Sequence, residues 1–199
     1  MNRKAKIYKI SDIALIAAAL KDGAAAVLPT DTVYGLITCA TAPGALDLLN
    51  KIKNNPADKP PQVLCSLEQA FNLAKIDDNF RRAAAIWPQP LTIVARTSPA
   101  GAKLMRGAAT IGLRATADKF LLDIIAMAAA PFFASSANMH GAPVCESERQ
   151  VLDTFADKVD IIVLGGDIKA RSSAVVDVSG PGIKIIRDGV AAKKLAGCG

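Results

Sequence analysis

Ala25-Ala26-Val27-Leu28-Pro29-Thr30-Asp31-Thr32-Val33-Tyr34-Gly35-Leu36 is an aliphatic run that breaks at a proline into a cluster of hydroxyl and carboxyl groups. An unbroken apolar stretch of this length, closed by turn-forming residues, predicts a buried strand over 25–28, because a strand covered on both faces needs no polar alternation. The polar turn after it is then a strand-end loop. In open α/β sheets ligands collect beyond strand ends, where side chains and unpaired backbone N–H groups come together.

Working outward, Ser11 reads as the N-cap of a helix over 12–20 that Gly23 stops. A second helix is expected from near Pro43, with Leu46, Leu49 and Ile52 at helical spacing and Asn54-Asn55-Pro56 ending it, which leaves Lys53 at a helix end beside a loop. Residues 62–65 read as a strand, and Ser66-Leu67-Glu68-Gln69 has the form of a capping box. Helices over 78–86 and 118–129 and strands over 91–96, 110–115 and 132–135 follow. Ser147-Glu148-Arg149-Gln150 repeats the capping-box form before a helix to Phe155, and strands over 160–164, 174–178 and 184–187 close the series. The alternation predicts an α/β fold with an open, twisted, mixed sheet and flanking helices. No repeat, low-complexity tract or linker interrupts it, so residues 1–199 are expected to form a single domain.

Of the 199 residues, 51% are hydrophobic and only 5% aromatic, which predicts a sizeable core of Ala, Val, Ile and Leu. No apolar run approaches the roughly 20 residues of a membrane span, and Met1-Asn2-Arg3-Lys4-Ala5-Lys6 leads into an alternating segment rather than a signal-peptide core. The expectation is a cytoplasmic protein without membrane partners. Cys39, Cys65, Cys145 and Cys198 are far apart and there is one histidine, so neither a metal site nor a disulfide framework is expected. A net charge of +6 favours an anionic partner, a nucleotide, RNA or both, although a generally basic, inert surface would have the same sum.

Polar clusters recur at strand ends: residues 29–32, Ser135-Ser136-Ala137-Asn138, Ser172-Ser173 and Arg187-Asp188-Gly189. Hydroxyls, amides and scattered cations suit phosphate oxygens, a carboxylate and an amino group better than they suit nucleophilic hydrolysis. His140 is the one candidate base for a hydrolase, and no Gly-x-Ser-x-Gly elbow accompanies it. Neither a P-loop nor a Gly-x-Gly-x-x-Gly fingerprint occurs, so any nucleotide is held by another design. Each cluster taken alone reads as a turn whose side chains satisfy backbone groups. Trp87 and Tyr34 read as packing residues.

In their order along the chain, residues 29–36, the loop 53–60, Trp87-Pro88-Gln89-Pro90-Leu91-Thr92, Arg114, Ser136-Ala137-Asn138, residues 173–177 and Arg187-Asp188-Gly189 resemble the motifs of the YrdC family. The resemblance implies a basic concave surface on the α/β fold and threonylcarbamoyl-AMP synthase activity. From L-threonine, bicarbonate and ATP, with Mg²⁺, such an enzyme makes the intermediate for N6-threonylcarbamoyladenosine in tRNA and releases pyrophosphate. It implies Thr32, Arg114 and Ser173 as contacts to L-threonine, and Lys53, Asn55, Lys59, Thr110, Ser136, Asn138 and Arg187 as the nucleotide side. Lys53 and Arg114 are the implied catalytic groups, and no protein metal ligand is implied. Asn55 stands where the family's Lys-x-Arg-Pro loop usually has arginine, and His140 where a serine is common. Larger members add a C-terminal domain, for which 199 residues are expected to leave no room. The implied partners are tRNA or double-stranded RNA and the tRNA threonylcarbamoyl transferase complex. The alternative from another class is a catalytically weakened paralogue that binds double-stranded RNA or tRNA, and a third is a His140-dependent hydrolase of carbamoyl compounds.

Overall fold

The computed structural model describes residues 4–56, 60–169, 172–189 and 191. The chain runs through β1 (Lys6–Tyr8), α1 (Ile13–Lys21), β2 (Ala25–Leu28), β3 (Gly35–Cys39), α2 (Ala45–Lys53) and β4 (Gln62–Cys65). It continues with α3 (Leu67–Leu73), α4 (Asp78–Ala84), β5 (Leu91–Arg96), α5 (Pro99–Leu104), β6 (Thr110–Ala115) and α6 (Lys119–Ala128). The last elements are β7 (Phe132–Ser136), α7 (Glu148–Phe155), β8 (Ile161–Val163), β9 (Ala174–Asp177) and β10 (Lys184–Arg187).

These elements gather into two compact units, each made from two stretches of chain: Met1–Pro61 with Asp118–Ala170, and Gln62–Ala117 with Arg171–Gly199. In the first unit the strands run in the order β1-β8-β2-β3-β7. β8 lies parallel to both β1 and β2, while β3 is antiparallel to β2 and β7. In the second the order is β4-β6-β5-β9-β10. There β4 and β6 are parallel, as are β5 and β9, and the pairs β5–β6 and β9–β10 are antiparallel. The strand pairing within each unit is therefore mixed, with helices packed on it, as the alternation predicts.

Local signals explain the element starts. Ser66 and Ser147 both form complete capping boxes, each accepting from the backbone of the glutamine three residues on while that side chain accepts in return. The expected cap at Ser11 is displaced by one residue: Asp12 is the N-cap of α1, and its carboxylate accepts from Lys9 N at 2.8 Å instead of capping the helix. Pro43 also falls outside α2, whose N-cap is Gly44 in the left-handed region at φ 70°. No helix among the described residues is long and apolar enough to cross a membrane.

The core of each unit is aliphatic with a few large anchors. Tyr34, Phe132 and Phe155 are fully buried in the first, and Phe80 in the second. Trp87 joins that second core: its ring meets Phe80 edge-on at 5.9 Å, and its Nε1 donates to Leu91 O at 2.8 Å. Cys39, Cys65 and Cys145 are buried free thiols. Burial pushes the Cys65 thiol up to about 12.

Candidate functional site

In the first unit, three polar chain ends are drawn together by strand pairing. Gly35 of β3 pairs with Ser136 of β7, and Ala137 N donates to Tyr34 O at 2.7 Å, so the loops before β3 and after β7 leave the sheet side by side. His140 N donates to Lys53 O at 3.0 Å, which ties the last residue of α2 to the same place. The loop before β3 is shaped by Thr30. Its hydroxyl donates to Val33 O at 2.6 Å and accepts from the backbone N–H groups of Thr32 and Val33. Thr32 is buried within this turn, with its hydroxyl 3.1 Å from that of Thr30. Tyr34 anchors the far end, donating to Gly166 O at 2.7 Å and accepting from Gly165 N at 2.9 Å. Burial raises its phenol pKa, and the Gly165 hydrogen bond works against that rise. Only glycine fits at 165, since a Cβ there would fall 2.7 Å from that of Pro29.

Lys53 is the buried cation among the described residues of this unit, 3% exposed. Its Nζ donates to Ser136 O, to Asn138 Oδ1 at 2.7 Å and to Ser136 Oγ at 3.3 Å, giving three acceptors for three N–H donors. Asn138 Oδ1 also accepts from Ser136 Oγ at 2.7 Å, while its Nδ2 donates to Met139 O and Ala142 O. Each of the amide's hydrogen-bonding positions is thus engaged within the loop, which makes Asn138 the framework on which Lys53 and Ser136 are set. Asn55 turns back on α2: its backbone N donates to Asn50 O and its Nδ2 to Asn50 Oδ1 at 3.3 Å. Its Oδ1 is buried without a hydrogen-bond partner among the described residues. Lys59 lies outside the described residues.

The second unit holds a separate cluster, where the end of β6 meets the starts of β5 and β9. Arg114, Thr92 and Ser173 are all buried, unusual for an arginine in an aliphatic core. Arg187, on β10, donates from Nε to Ser173 O at 3.0 Å and from Nη2 to Ser173 Oγ at 3.3 Å. Arg187 is exposed at the surface; partial desolvation of its guanidinium and then the charge of nearby Arg114 lower its pKa. Two guanidiniums close enough to repel form a place suited to an anion, which removes the repulsion when it binds.

Thr110, expected on the nucleotide side, does not join this cluster. It is exposed at the opposite end of β6 from Arg114, roughly 13 Å away at strand rise. His140 is exposed, and no group of three or more His, Cys, Asp or Glu side chains suited to a metal occurs among the described residues. Sequence reasoning assigned no role to Gln62, to the hydroxyl of Thr92 or to the Tyr34 phenol. A glutamine opening the apolar strand Gln62-Val63-Leu64-Cys65 was the available signal for the first.

Mixed strand pairing with flanking helices, a buried lysine held by hydroxyl, amide and carbonyl groups at a strand end, and a buried arginine at another define an α/β protein with basic strand-end sites. Residues 18–189 match the family model for Sua5, YciO and YrdC, described as telomere recombination. The chain belongs to the Sua5/YciO/YrdC family. It is 31% identical over 172 residues to the threonylcarbamoyl-AMP synthase of Pyrococcus abyssi, covering 84% of this chain and 51% of that protein. Against the threonylcarbamoyl-AMP synthase of Vibrio vulnificus it is 26% identical over 162 residues, covering 78% of this chain and 87% of the relative. The structure of P. abyssi Sua5 complexed with L-threonine superposes with a TM-score of 0.84 at 28% identity, covering 98% of this chain and 60% of that one. The chain therefore spans about half the length of the Pyrococcus relative.

Proposed function

We propose that this protein is a threonylcarbamoyl-AMP synthase, a nucleotidyltransferase that converts L-threonine, bicarbonate and ATP to L-threonylcarbamoyladenylate and pyrophosphate for modification of tRNA adenosine in the cytoplasm. The observation that carries the reading is the likeness, along 98% of the chain, to a Sua5 structure complexed with L-threonine. In this reading residues 1–199 act as one YrdC-like domain. Arg114 pairs with the amino-acid carboxylate, and Thr32 and Ser173 complete its recognition. Lys53, Ser136 and Arg187 serve the nucleotide, and Lys59 is assigned the same part. Asn138 is a positioning residue there. Thr110, at the opposite end of β6 from Arg114, is assigned to the nucleotide side.

The carbamate of threonine must attack the α-phosphorus of ATP and expel pyrophosphate. Such a displacement needs alignment and neutralisation of charge more than covalent help. Lys53 supplies a positive charge set in place before any ligand arrives. Mg²⁺ belongs to the substrate in this reading, carried on the phosphate oxygens of ATP with water. The tRNA and the threonylcarbamoyl transferase complex are the partners that would take the product.

A second reading, a weakened paralogue that binds double-stranded RNA or tRNA, is favoured by Asn55, whose amide turns back to Asn50 where the family usually places an arginine. The test of both is L-threonine-dependent pyrophosphate release with ATP, Mg²⁺ and bicarbonate, with the adenylate identified by mass spectrometry. Product from the unaltered protein is expected. Product only from Asn55→Arg, together with salt-sensitive RNA binding by the unaltered chain, would replace the synthase reading with the second one.

A further inference from the structure

The hydroxyl chain behind Arg187 has a direction. Thr92 Oγ1 donates to Gln62 Oε1 at 2.9 Å and lies 3.0 Å from Ser173 Oγ. A hydroxyl carries one hydrogen. With the Thr92 hydrogen committed to Gln62, the contact between the two hydroxyls must be donated by Ser173. Ser173 Oγ then has no hydrogen left. One of its lone pairs meets Arg187 Nη2 at 3.3 Å, and one acceptor position remains.

We propose that Gln62 is a positioning residue whose amide oxygen, acting through Thr92, makes Ser173 a pure acceptor and so directs it to an N–H of the substrate's amino group. The inference rests on L-threonine being the substrate. An acceptor-only oxygen cannot bind a carboxylate oxygen, so the carboxylate falls to the Arg114 guanidinium. Two nearby cations, Arg114 and Arg187, disfavour an ammonium and favour the neutral amine. That form carries the lone pair that makes the new N–C bond to bicarbonate carbon, as bicarbonate loses hydroxide and the amine loses a proton, together one water. If Ser173 donated instead, its hydrogen would occupy that lone pair and quench the nucleophile. The direction of the chain leaves the lone pair open and still holds the nitrogen through N–H.

The test compares Gln62→Leu and Gln62→Glu with the unaltered full chain, measuring kcat and the KM for L-threonine. Leucine cannot accept from Thr92, whose hydrogen can then turn to Ser173 and release the Ser173 hydrogen toward the amine. Loss of one directing hydrogen bond should lower kcat about tenfold with KM within about threefold. Glutamate keeps an acceptor at the same place and should retain kcat to within about threefold. Thr92→Val, which frees the Ser173 hydrogen by another route, should match Gln62→Leu and covers the case in which a Gln62 variant fails to fold. An unchanged kcat in Gln62→Leu and Thr92→Val, or a Gln62→Glu defect equal to that of Gln62→Leu, overturns the proposal while leaving the synthase reading intact. An unaltered protein without threonine-dependent turnover overturns both.

Discussion

Lys53 shows how a single residue can be costly alone and secure in company. A buried ammonium is stabilised only by a full set of acceptors, and here a carbonyl, a hydroxyl and an amide supply them. Lys53→Met leaves those acceptors short of their donor and is expected to cost about 1 to 3 kcal/mol, read as a shift in urea midpoint at unchanged m value. Asn138→Ala should cost a similar amount, and the double variant less than the sum, because both break the same network. Legibility at this scale followed locality. The two serine capping boxes depend on residues three apart and were readable from the sequence; Ser173 stood out as part of a strand-end polar cluster, and Arg114 was picked out only through its place in the family's motifs. The Gln62 contact joins residues 30 apart, and no short-range pattern announces it.

Among the elements, β2, β4, β5, β6 and β10 were legible to the residue and have the predicted limits. Three elements were not foreseen. β3 hides behind the polar turn that precedes it, β1 is short and largely exposed, and α5 has neither apolar periodicity nor a strong helix-forming centre, since Gly101 sits in its middle. That glycine has a packing reason. A Cβ at 101 would lie 2.1 Å from Leu73 O at the end of α3, an approach that backbone cannot relieve cheaply. Gly101→Ala is therefore expected to destabilise by about 1 to 3 kcal/mol, although alanine favours helix by about 1 kcal/mol. A lowered midpoint in thermal unfolding, where propensity alone would raise it, is the measurement that checks this.

For the whole molecule, the single unbroken α/β pattern concealed the arrangement into two units. Composition marks domain boundaries through linkers, and here the chain crosses between units at Pro61–Gln62, Ala117–Asp118 and Ala170–Arg171 without one. What defines the units is pairing between distant segments, such as β5 with β9 and β2 with β8. A fragment of residues 62–117 contains β4, β5 and β6 but lacks β9 and β10, so it should show little cooperative unfolding by circular dichroism. Cooperative unfolding of the isolated fragment would contradict this. The same interleaving bears on the birth of the protein. β2 leaves the ribosome early, yet its parallel neighbour β8 is not made until about 130 residues later, which at roughly 5 to 20 residues per second is a wait of about 7 to 26 seconds. Through that interval an aliphatic strand has its partner edge open, so the nascent chain depends on whatever shields such edges in the cell, and the half of the molecule that is begun first cannot be finished until most of the rest has been synthesised.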